Sequence, residues 1–68
     1  MKSKLKQLIK DFSTLDSNDY VREEELENKQ NEIIEEMLSK NIIDDDWCSD
    51  HSRHQVPHLL YALLDKLS

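Results

Sequence analysis

Leu5, Leu8, Ile9 and Phe12 fall at offsets of three, four and seven, so all four share one narrow face of a helix. This spacing predicts an amphipathic helix over about residues 3–13, with lysines on its opposite side. Ser13, Thr14, Asp16, Ser17, Asn18 and Asp19 follow, and such short polar side chains favour caps and turns over helix interior. Leu15 lies within that turn, where it can pack back on the core. A longer helix is predicted over about 17–39, starting among Asp16 to Asp19. Glu23, Glu24 and Glu25 occupy its early turns, where carboxylates suit the positive end of the helix dipole. Its apolar stripe is uneven. Ile33, Ile34, Met37 and Leu38 form a dense patch, whereas the first half offers Tyr20, Leu26 and an off-face Val21, with Gln30 between Leu26 and Ile33 on the same side. The second half is therefore expected in the core, and the first half loosely anchored or reserved for a partner.

Lys40 and Asn41 close this helix, and Asn is suited to a left-handed cap. In Asn41–Trp47, Ile42 and Ile43 extend the buried face before three aspartates end it. Asp44 can also cap a short helix over 44–50, with Trp47 turned inward. Pro57 suits the first position of a final helix over 56–67. Leu59, Leu60, Leu63, Leu64 and Leu67 form that helix's stripe, and Tyr61 falls on its outer side. The chain has no glycine, so turns needing positive φ must use Asn or Asp. A hairpin-rich β fold is hard to build on those terms, and no period-two alternation appears. The pattern predicts an all-α single domain spanning 1–68. It is a bundle of three helices, or four with the short one, with a long acidic helix at its centre.

Composition adds bounds. A chain of 68 residues has a thin stability margin, which a partner or a metal would widen. Its single cysteine excludes an internal disulfide. Nine basic and fifteen acidic residues give a net charge of −6, which disfavours direct binding to nucleic acid or anionic lipid and leaves room for a basic protein partner. No window has the apolar length of a signal peptide or a membrane span, so a cytoplasmic location is expected. Charge is also segregated. Lys2, Lys4, Lys6 and Lys10 face only Asp11 at the start, while the acids concentrate between Asp16 and Asp46. The basic first helix is thereby expected against the acidic second.

One stretch, WCSDHSRHQVPH from Trp47 to His58, holds all three histidines and the only cysteine, tryptophan and proline. Cys48, His51, His54 and His58 have the spacing C-x2-H-x2-H-x3-H, and zinc accepts such mixed sulfur and nitrogen ligands in a tetrahedron. A single short segment closes a tetrahedron with difficulty, because structural sites draw their ligands from two separated knuckles. The simpler reading makes the histidines polar loop residues and Cys48 a small buried group beside Trp47. A third makes the cluster an intermolecular contact, since Trp47 and Arg53 are residue types that interfaces favour. Burial of a histidine in such a contact would make it sensitive to pH near neutrality.

Enzyme activity is not expected. Cys48, His51 and Asp50 supply nucleophile, base and orienting types, but nothing suggests a walled pocket, and a chain without glycine lacks the usual backbone hollow for an oxyanion. The run Asp44–Asp46 lacks the ligand alternation of a calcium loop. A recognition helix for DNA normally presents Arg or Lys, and the long helix here is acidic. The expected function is a small non-enzymatic protein-binding module, an inhibitor or regulator that docks on a larger basic or nucleic-acid-binding protein. Its expected contact residues are Glu23, Glu24, Glu27, Trp47, Arg53 and Tyr61. The alternatives are a zinc-binding domain using Cys48 with His51, His54 and His58, and a structural protein that self-associates through its leucine-rich last helix.

Overall fold

The computed structural model describes residues 1–51 and 58–67. Among these residues four helices follow one another: α1 (Lys2–Ser13), α2 (Tyr20–Ser39), α3 (Asp45–Asp50) and α4 (His58–Lys66). The protein is an all-α bundle, with no strand among the described residues. The positions expected for Val56 and Pro57 at the head of the last helix lie outside the described residues. At its other end, helix geometry stops at Lys66, and Leu67 closes a turn on the Leu64 carbonyl at 3.1 Å.

The junctions from α1 to the start of α3 are closed by local hydrogen bonds that the sequence supplies. At the end of α1, the Ser13 and Thr14 hydroxyls donate to the Lys10 carbonyl at 2.7 and 3.2 Å, adding to the Thr14 amide that already bonds it at 3.1 Å. The second helix starts three residues later than its polar run suggests, because Asp16 and Asp19 have different tasks. Asp16 accepts from the Asn18 amide at 3.0 Å and sets the turn, whereas Asp19 accepts from the Arg22 amide at 3.0 Å and is the true N-cap.

The C-terminus of α2 solves the problem posed by a chain without glycine. Asn41 takes φ 58°, the single positive φ among the described residues. Around it the Ile42 amide donates to the Met37 carbonyl at 2.9 Å and the Asn41 amide to the Leu38 carbonyl at 3.1 Å. These two bonds are the paired closure of a Schellman motif, and Ile42 is thereby turned back toward the core. Asp44 then accepts from the Trp47 amide at 2.8 Å and caps α3.

Among the described residues, the core consists of Leu5 and Leu8 from α1, Leu26, Ile33, Ile34 and Met37 from α2, Ile43 from the connection, and Leu59, Leu60 and Leu63 from α4. Leu15 and Trp47 pack against it from the turn and from α3. Among the described residues, the most extensive helix contacts are those of α1 with α4 and of α1 with α2. The short first helix is therefore the one on which the two larger apolar faces meet. Gln30 is the one polar side chain in this buried set, at 2% exposed, on the face that Leu26 and Ile33 also use.

Candidate functional site

Two surfaces carry most of the described residues singled out in the sequence. The first is the outer side of α2. Glu24 and Glu27 are exposed there and Glu23 is half-buried. At the head of the same helix Tyr20 is 73% exposed and Val21 72%. Tyr20 does not belong to the buried stripe as expected, since the stripe continues toward the N-terminus through Arg22 and Glu23. Arg22 stands one turn before Leu26 and extends to Asp11 of α1, with Nη2 3.6 Å from Oδ2, while its Nη1 lies 3.2 Å from Glu25. Asp11 is oriented by the Gln7 amide at 2.9 Å. Polar residues thus replace apolar ones where the core side of the helix runs out. The sequence signal was the i, i+4 relation of Arg22 to Leu26, together with the lone acid on α1.

That ion pair also changes the electrostatic picture. The expected contact of basic α1 on acidic α2 is made in the opposite sense, by the acid of α1 and a base of α2. Among the described residues Lys2, Lys4, Lys6 and Lys10 form no ion pair, and neither do Glu24, Glu27 and Glu35. An open groove of about 620 Å³ runs between the two helices, with Lys4, Gln7 and Asp11 on one wall and Lys29, Glu32 and Glu36 on the other. Leu8 and Ile33 form its floor. Lys2, Lys6, Lys10, Glu24, Glu27 and Glu35 do not line it.

The second surface is the corner at α3. The Trp47 indole and the His51 imidazole stack face to face, with centroids 3.9 Å apart and planes inclined by 11°. His51 Nδ1 lies 2.8 Å from the Trp47 carbonyl oxygen, which can only accept, so Nδ1 is the nitrogen that donates in this bond. The i, i+4 spacing of Trp47 and His51 could have announced this stack. Cys48 is a half-buried free thiol at the core's edge. Beside it a shallow pocket of about 520 Å³ is lined by Asn41, Ile42, Asp44, Asp46, Asp50 and Lys66, with Trp47 and Ile43.

Of the four ligands considered for zinc, Cys48 and His51 belong to this corner, His58 is exposed at the first position of α4, and His54 lies outside the described residues. Among the described residues no three His, Cys, Asp or Glu side chains come together as a metal-binding group. Arg53 also lies outside the described residues. Tyr61 stands on the outer side of α4, 57% exposed. No described helix is long and apolar enough to cross a membrane. No protein-family model, curated protein sequence or solved structure matches the chain.

Proposed function

We propose that this protein is a non-enzymatic binding module, an inhibitor or regulator that docks on a larger basic protein through the outer flank of α2. The observation that carries the reading is the exposure of Tyr20 and Val21 at the head of a line of glutamates, Glu24 and Glu27, that form no ion pair among the described residues. On a regular helix Tyr20, Glu24 and Glu27 follow one another at offsets of four and three, so they share a side. An aromatic ring supplies apolar area and a polar tip at low entropic cost, and neighbouring carboxylates select a basic surface and speed the encounter with it. Nucleic-acid-binding proteins are one class with such surfaces, and a row of carboxylates can occupy a cleft that otherwise receives phosphates. The expected setting is the cytoplasm.

The test is a photo-crosslinking residue in place of Tyr20 in the full chain, expressed in its native cell. The expected product is a specific adduct with a basic protein, lost when Glu24→Lys and Glu27→Lys are added. An adduct that survives this charge reversal, or none at all, removes the α2 flank from consideration.

Zinc binding is the second reading, and one observation favours it. A histidine whose Nδ1–H is held by a carbonyl has its ring fixed and its Nε2 available, which is the orientation metal ligands commonly use. Cys48 would be the sulfur ligand. A zinc titration of the wild type against the Cys48→Ala, His51→Ala pair decides it. Stoichiometric binding lost in the pair supports the site, and an unchanged titration ends it.

A further inference from the structure

Two complementary charged surfaces on this molecule leave each other unused. Lys2, Lys6 and Lys10 recur every fourth residue along α1, so they form a row about 12 Å long at 1.5 Å of rise per residue. All three are exposed, form no ion pair among the described residues, and stand clear of the α1–α2 groove. On α2, Glu24, Glu27 and Glu35 form a ridge about 16 Å long with the same properties. Lys4 and Asp11 turn to the groove on α1, and Lys29, Glu32 and Glu36 do so on α2. The lysine row and the glutamate ridge therefore lie on the flanks that each helix turns away from the other. They cannot neutralise one another within a single chain.

We infer that a second copy of this chain docks its α1 lysine row on the α2 glutamate ridge. The inference rests on the reading of that flank as a docking surface and names an occupant for it when no other partner is present. The contact is heterologous, since one face of the molecule meets a different face of its neighbour. It therefore builds rings or short open chains and is not limited to a twofold pair. It is also weak, because exposed ion pairs contribute little each and a net charge of −6 opposes close approach. A basic protein presenting more cations than three lysines displaces the second copy, so self-association holds the ridge in reserve.

Sedimentation equilibrium of the full chain tests this. The weight-average mass should rise with concentration at about 0.02 M salt and return to that of one chain at about 0.5 M, where surface charges are screened within a few Å. The K2E/K6E/K10E chain and the E24K/E27K/E35K chain should each remain monomeric alone, while their equimolar mixture associates. If a reversed chain loses its helical circular dichroism, K2Q/K6Q/K10Q replaces it, with self-association weakened about tenfold. A wild type that is monomeric at low salt, association that grows with salt, or a mixture that stays monomeric overturns the inference. K2E/K6E/K10E retains the α2 ridge, so it should still form the Tyr20 adduct with an external partner. Loss of self-association and loss of partner docking are thereby read separately.

Discussion

The two halves of α2 belong to one continuous helix but are held in different ways. From Lys29 to Ser39 it buries Gln30, Ile33, Ile34 and Met37, and Leu38 packs at the edge. From Tyr20 to Asn28 it buries Leu26 alone, and among the described residues its further ties include the Asp19 cap and the Arg22–Asp11 ion pair. The first half is helical because propagation from a packed segment adds one hydrogen bond per residue, so it needs no second nucleus. It remains regular while keeping Tyr20 and Val21 in water. One half is therefore committed to the fold, and the other is free to present side chains.

The largest test of that contrast is Ile34→Ala. Truncating a fully buried isoleucine costs about 2–5 kcal/mol, comparable with the roughly 3–5 kcal/mol that one core supplies in a domain this small. A urea titration followed by circular dichroism should find the chain mostly unfolded before denaturant is added. A cooperative transition with its midpoint unchanged would mean that the second half is not the anchor. Next is Asn41→Ala, which places a Cβ without a local polar partner in the left-handed region at a cost of about 1–2 kcal/mol. Asn41→Gly should match or exceed the wild type in the same melts. If alanine melts with the wild type, the Schellman closure does not hold the end of α2.

Asp19→Ala should cost about 1 kcal/mol, and its effect should be local. Hydrogen exchange would speed at the amides of the first turns and leave residues 30–38 protected, since the two halves open with different free energies. Uniform acceleration would show that they open together. The smallest expected change in stability is that of Tyr20→Ser with Val21→Ser, within about 0.5 kcal/mol because both side chains are exposed. Partner capture should nevertheless be lost. A substantial drop in melting temperature would show that these side chains serve the fold.

Much of the architecture was legible because it is local. The period of Leu5, Leu8 and Phe12, the leucines of α4, and Asp44 as a cap follow from rules that act over three or four residues. Asn41 was legible by elimination, since no glycine was present to take its place. Less was legible at the candidate site. Tyr20 looked like part of the stripe because an aromatic residue near Leu26 resembles a core position. Its exposure follows from the angle of the helix and from what α1 covers. The Arg22–Asp11 pair was missed because it joins residues whose proximity depends on how α1 and α2 lie together.

By itself the sequence determined the helices, their caps, the acidic surplus and the residues with an apolar face to hide, because these depend on side-chain chemistry at short range. Only the tertiary structure decided which helix the others meet on, and that α1 approaches α2 through its acid while Lys2, Lys6 and Lys10 face away. It also decided that Tyr20 and Val21 remain in water. Those outcomes depend on the packing of faces distant in sequence, where burying apolar area outweighs the small energies of exposed charge pairs.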